Sequence, residues 1–132
     1  MHAGAIAAVW LLVLIGAVEW ALAQGKPADT DDGMLAFNNA CRTCHTIREG
    51  DNRLGPSLYK IVGRKAGSEP TYGYSSAMKG SDLVWDRATL DRFIADPDQV
   101  VRGNNMKPYG GIAKPEERAK IISYLEASSA GN

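Results

Sequence analysis

The chain has 132 residues, enough for one small domain and too few for two. Its 15 basic and 15 acidic side chains cancel, so nucleic acid or another polyanion has no electrostatic support as a partner. Apolar residues make up 45% and charged residues 23%, the balance of a globular chain and not of a disordered one.

Residues Ala3 to Val18 are apolar without a break. Ala21-Leu22-Ala23 follows, a small-x-small pattern that suits signal peptidase. Residues 1–23 are therefore read as a signal peptide, which makes the domain periplasmic or otherwise exported. No Lys or Arg precedes the run, and Glu19 separates it from the cleavage pattern. The alternative is an uncleaved membrane anchor facing the periplasm. The run holds 16 residues, where a helix needs about 20 to cross a hydrocarbon core of ~30 Å. Cleavage leaves about 109 residues, a length at which hydrophobic burial alone is marginal. A bound apolar cofactor would supply the missing core.

Residues 24–32 form a polar lead-in, with Asp31 or Asp32 placed to cap a helix. That helix is expected over Gly33–Cys41, where Phe37 and Cys41 are spaced i, i+4. Gly33, one turn earlier, marks a close helix crossing, because glycine otherwise weakens a helix. Residues 48–55 read as loop. Ser57–Val62 predicts a short helix with Leu58, Ile61 and Val62 on one face, ended by Gly63. Residues 64–82 hold Gly67, Pro70, Gly73 and Gly80 and predict a long irregular stretch, suited to wrapping a cofactor edge. A helix follows over Asp86–Asp96, capped by Asp86, striped by Leu90, Phe93 and Ile94, and stopped by Pro97. Residues 98–111 are loop. Pro115 opens the last helix, Glu116 and Glu117 occupy its first turn, and Ile121, Ile122, Tyr124 and Leu125 give it an apolar face. No segment alternates as a strand does. The class is all-α, with a domain over 33–127 and a tail over 128–132.

The chain has two cysteines, and both lie in Cys41-Arg42-Thr43-Cys44-His45. This is the haem c attachment pattern. Each thiol adds across a haem vinyl group to leave a thioether, and His45 is carried under the iron as an axial ligand. A thioredoxin-like pair wants a βαβ setting that the chain lacks. A zinc site wants four ligands, and His45 is the only histidine outside the leader. A plain disulfide leaves His45 without a role. The single histidine also excludes bis-histidine ligation within the chain. Met34, Met78 and Met106 remain as sixth-ligand candidates, with Lys, another weak group or a vacant site as the alternatives. Met34 lies too near the attachment turn to reach the opposite haem face easily. Met106 is favoured over Met78 because Gly103 and Pro108 frame a turn around it, although any loop Met can also be simple packing.

With these motifs in order, the chain resembles the class I c-type cytochromes, the mitochondrial cytochrome c and bacterial cytochrome c2 group. The likeness covers Gly33 to Leu125. It runs through Gly33 and Phe37, the attachment pentapeptide, Leu54-Gly55-Pro56-Ser57-Leu58 and Val62-Gly63-Arg64-Lys65-Ala66-Gly67. Tyr74, Trp85, Pro97, Met106, Gly111-Ile112 and Ile121-Ile122-Ser123-Tyr124-Leu125 complete it. The resemblance implies three main helices, a short helix and long loops around one covalent haem. It implies that the first and last helices cross, with Gly33 and Phe37 against Ile121 and Tyr124. It implies His45 and Met106 as the axial iron ligands, and the Pro56 carbonyl as partner to the other imidazole nitrogen. Tyr74, Trp85 and, more loosely, Arg64 and Ser75 are implied on the haem propionate side.

Departures from the family are as telling. Members often place Asn, Tyr and Thr around a buried water near the methionine ligand, and the matching positions here are Met78, Phe93 and Asn104. Leu35, Ala40 and Asp98 fall where docking lysines are common, while Lys107 and Lys114 remain, which weakens docking to a strongly acidic partner. The resemblance implies a one-electron carrier and not an enzyme, a monomer that meets a reductase, an oxidase, a photosynthetic reaction centre or a dehydrogenase. The alternatives are a membrane-tethered subunit of an electron-transfer complex, or a haem sensor or enzyme with a labile sixth ligand.

Overall fold

The computed structural model describes residues 30–131 together with Met1. The expected signal peptide, and residues 24–29 of the expected lead-in, lie outside the described residues. Five helices follow in order: α1 (Thr30–Ala40), α2 (Ser76–Lys79), α3 (Arg87–Ala95), α4 (Pro97–Val100) and α5 (Pro115–Ala130). Among the described residues no strand forms; Lys65 and Val84 meet in one isolated antiparallel bridge. None of the described helices is long and apolar enough to cross a membrane.

Helix α1 begins earlier than the expected Gly33. Asp31 and Asp32 sit inside its first turn. There they complement the positive end of the helix dipole instead of acting as caps. Gly33 meets α5 so closely that a Cβ would lie 2.8 Å from the Lys120 carbonyl oxygen and 2.9 Å from Tyr124 Cβ. One turn on, the Phe37 and Tyr124 rings stand 5.3 Å apart. The expected crossing of first and last helices therefore forms through a missing side chain at one contact and a tilted ring pair at the next.

Helix α3 starts and stops as its sequence dictates. The Thr89 N–H donates to Asp86 Oδ1 at 2.7 Å, and the Asp86 N–H donates to Thr89 Oγ1 at 2.8 Å. This reciprocal pair is a capping box. Asp96 ends α3 and caps α4, a turn that the loop expectation for 98–111 did not include. Helix α5 runs to Ala130, well into the expected tail.

The short helix expected over Ser57–Val62 does not form. Lys60 takes a left-handed φ of 46° and Gly63 one of 89°, which breaks any helical ladder. The buried Ser57 hydroxyl donates to the Arg48 carbonyl and accepts the Tyr59 N–H, so it organises a turn. Past it, the long stretch over 64–82 is closed at its base. The Ala66 N–H donates to Leu83 O at 2.8 Å and the Trp85 N–H to Arg64 O at 2.8 Å. That closure keeps Trp85 in the core, and the stretch above it is not wholly irregular as expected, because it holds the short helix α2.

The core joins α1, α3 and α5. Ile121, Ile122 and Leu125 are almost fully buried. Each such side chain contributes about 1.5–3 kcal/mol relative to an exposed one. Leu90, Phe93 and Ile94 of α3 pack on the same cluster, and the inner side of that cluster opens into a cavity.

Candidate haem site

The C-terminal end of α1 delivers the attachment motif. The Cys41 and Arg42 N–H groups both reach Phe37 O, and the His45 N–H reaches Cys41 O at 2.9 Å. The turn brings Cys41, Cys44 and His45 to one wall of the cavity. Cys41 and Cys44 are not joined in a disulfide, so both sulfurs are available as anchors. Burial, with Cys44 adding to it, pushes the Cys41 thiol up to about 12, so it is protonated at neutral pH.

His45 is buried, and its Nδ1 lies 2.8 Å from the Pro56 carbonyl oxygen. A carbonyl can only accept, so Nδ1 carries the hydrogen and Nε2 keeps a free lone pair. Burial lowers the His45 pKa, and the Pro56 bond opposes that shift, so the ring is held neutral as a metal ligand must be. Gly55 makes room for the ring: a Cβ there would lie 2.3 Å from His45 Cε1.

Met106 and Met78 both line this cavity. Met34 does not line it and is 43% exposed. Met78 is buried on α2, beneath the cap made by Ser75, whose Oγ accepts the Met78 N–H at 3.1 Å. Met106 sits in the loop after α4, where its N–H donates to Asn104 Oδ1 at 2.9 Å. Tyr74, Ser75 and Trp85 line the same space. Arg64 does not. Its guanidinium donates to Ser57 O and Tyr59 O at 3.1 and 2.8 Å and pairs with Glu69 at 3.4 Å. Glu69 in turn donates its N–H to the Tyr74 hydroxyl at 3.3 Å. Burial raises the Tyr74 pKa, so its phenol stays protonated.

Several contributors escaped the sequence reading. Tyr72 lines the cavity and ties its hydroxyl to Leu54 O at 2.8 Å; Tyr109 lines it and reaches Ile94 O at 2.6 Å. Glu69 carried no signal, because its partner is set by the loop's path. Asn104 did carry one. An Asn two residues before a given N–H commonly accepts from it.

The cavity holds about 1210 Å³ of empty space, its open mouth included, behind a mostly apolar wall. Its size matches a large cofactor and exceeds what a water or a metal ion needs. Two thiols on one turn, a neutral imidazole beside them and a thioether in the same cavity form a donor set that suits haem and not zinc. The residues present therefore fit a covalently held haem.

Comparison with known proteins agrees. The family model described as cytochrome c matches residues 30–129. Cytochrome c2 of Rhodopila globiformis is 44% identical over 103 residues, covering 78% of this chain and 96% of that protein. Cytochrome c2 of Agrobacterium tumefaciens is 45% identical over 101 residues, covering 74% and 89%. The solved structure of cytochrome cH from Methylobacterium extorquens superposes with a TM-score of 0.68 at 39% identity, covering 75% of this chain and 98% of that one. The helices, the attachment turn and the matched span point one way: the chain is a haem c electron carrier and belongs to the cytochrome c family.

Proposed function

We propose that this carrier works through a closed iron centre, with Cys41 and Cys44 as the thioether anchors and His45 and Met106 as the axial ligands. The observation that supports it most is that a neutral His45, with Nε2 free, and Met106 line the same apolar cavity. A bound haem supplies the one-electron iron couple. The chain does the rest. Pro56 fixes the His45 ring through Nδ1, so the ligand geometry need not relax when the charge changes. Leu90, Ile94 and Leu125 give the cavity an apolar lining that would keep water from a bound haem. Two strong ligands leave no open position, so the protein is not an enzyme in its own right. A thioether ligand in an apolar pocket favours the ferrous state and raises the potential.

Tyr74, Ser75 and Trp85 are the residues for the propionate side, with Arg64 acting from behind them through Glu69 and Tyr74. The carrier exchanges electrons with redox proteins such as a reductase, oxidase, reaction centre or dehydrogenase, as a monomer. The apolar run from Ala3 to Val18 and the Ala21-Leu22-Ala23 pattern support export to the periplasm with residues 1–23 removed. An optical redox titration tests the carrier role. A reversible one-electron curve is expected, with weak binding of added azide by the ferric protein. Tight, rapid azide binding would point instead to a labile sixth site. An N-terminal mass beginning near Gln24 is expected, and an intact Met1 in membrane fractions would contradict cleavage.

A further inference from the structure

The loop that carries Met106 is held from outside by a charged group. Asn104 is 4% exposed and all its amide partners are fixed. Its Nδ2 donates to Asp98 Oδ1 at 2.9 Å and to Val101 O at 2.9 Å. Its Oδ1 accepts the Met106 N–H at 2.9 Å. Two acceptors on one side and one donor on the other leave a single way to orient the amide. The second oxygen of Asp98 takes the Lys107 ammonium. One carboxylate on α4 therefore holds the residues on both sides of Met106: Asn104 before it and Lys107 after it.

The surroundings make this brace consequential. Gly103 has a φ of 87° and releases the chain from α4 just before Asn104. The next fixed point after Lys107 is Tyr109, whose hydroxyl bonds Ile94 O. Met78 and Phe93 line the same cavity without a polar side-chain group, and Phe93 packs edge-on against Trp85 at 4.9 Å. The polar hold on Met106 thus comes through its main chain and not from a side chain beside its sulfur.

We propose that Asn104, braced by Asp98, is a positioning residue that keeps the Met106 sulfur on the iron and so controls how readily an outside ligand replaces it. The inference rests on the reading of Met106 as the sixth ligand. Losing one net hydrogen bond of about 0.5–1.5 kcal/mol shifts the balance between bound and released methionine by up to about tenfold. Because Asp98 acts through Asn104, its effect must vanish once Asn104 is gone.

The test uses ferric holoprotein and imidazole as the competing ligand, followed in the visible spectrum. Asn104→Ala is expected to bind imidazole about tenfold more tightly than the parent. Asp98→Ala is expected to gain about threefold, and the double variant to match Asn104→Ala. Asn104→Ser keeps an acceptor for the Met106 N–H and is expected to recover part of the parent's resistance. Asp86→Ala, which removes the α3 cap and whose hydrogen bonds go to Thr89 and not to the loop, lowers thermal stability and leaves imidazole affinity unchanged. Unchanged affinity in Asn104→Ala, additive effects in the double variant, or an equal gain in Asp86→Ala would overturn the proposal. A parent protein without the sulfur–iron charge-transfer band would overturn the ligand reading beneath it, which is a separate outcome.

Discussion

His45 and Pro56 are joined by a bond of 2.8 Å from the ring Nδ1 to the proline carbonyl, and Gly55, the residue just before that proline, lies against the same ring. The Gly55 N–H also returns to Cys44 O at 2.8 Å. The segment after the attachment turn is therefore folded back on the histidine by its own backbone. Proline suits the last position, since its carbonyl is needed and its missing N–H is not.

Gly55→Ala places a methyl group 2.3 Å from His45 Cε1, a distance no packing tolerates. The ring or the 53–56 backbone must move. We expect a loss of about 1–3 kcal/mol in denaturant unfolding of the holoprotein, with an altered visible spectrum. Gly50→Ala is the comparison. Its φ of 65° is strained for alanine, yet nothing lies within 4 Å, so stability should fall by about 1 kcal/mol with the spectrum unchanged.

Gly33→Ala tests the helix crossing. Alanine is the better helix former by about 1 kcal/mol, and an isolated helix would gain from it. At this crossing the new Cβ meets α5 backbone at 2.8 Å. The clash should win, for a net loss of about 1–2 kcal/mol and a lower thermal midpoint. A rise in the midpoint would show that the two helices part easily.

Asp86 makes acid sensitivity predictable. The Thr89 N–H and hydroxyl, which it accepts, hold its carboxyl below the ordinary value of 3.8. A depressed carboxylate stabilises the fold above its unfolded value, and that stabilisation fades as pH falls through the folded value. The thermal midpoints of parent and Asp86→Ala should differ at pH 7 and draw together as the pH falls below about 4. A constant difference down to pH 3 would assign the effect to packing and not to charge.

Arg64 and Glu69 form an ion pair with side chains only 20% and 14% exposed. Glu69→Gln leaves the guanidinium charge uncompensated behind Tyr74. Positive charge near the site disfavours the ferric state, so the reduction potential should rise, by less than about 59 mV, one tenfold step for a single electron. A fall in potential would mean that Arg64 had swung away from Tyr74.

Much of this was legible in the chain, and the reasons differ by element. Asp86 and Pro97 bracket α3 through local chemistry, so its limits could be read directly. Gly33 signalled the crossing because a helical glycine without a purpose is costly. Ser57–Val62 misled, because apolar spacing imitated a helix while the Ser57 hydroxyl and the left-handed Lys60 enforced turns. Cys41, Cys44, His45, Tyr74, Ser75, Trp85 and Met106 meet around one cavity, but Arg64 stands behind it because Glu69 holds it there. That pairing depends on the path of a loop and has no local signature. The Asn104 brace lies between these cases: its contact with Met106 follows from sequence distance, and its contact with Asp98 does not.

The ligand assignment is the centre of the account, and the far-red spectrum of the ferric holoprotein tests it most directly. The sulfur–iron charge-transfer band should be present in the parent, absent in Met106→Ala, and retained in Met78→Leu. A parent spectrum without the band, or a band that survives Met106→Ala and disappears in Met78→Leu, would contradict it.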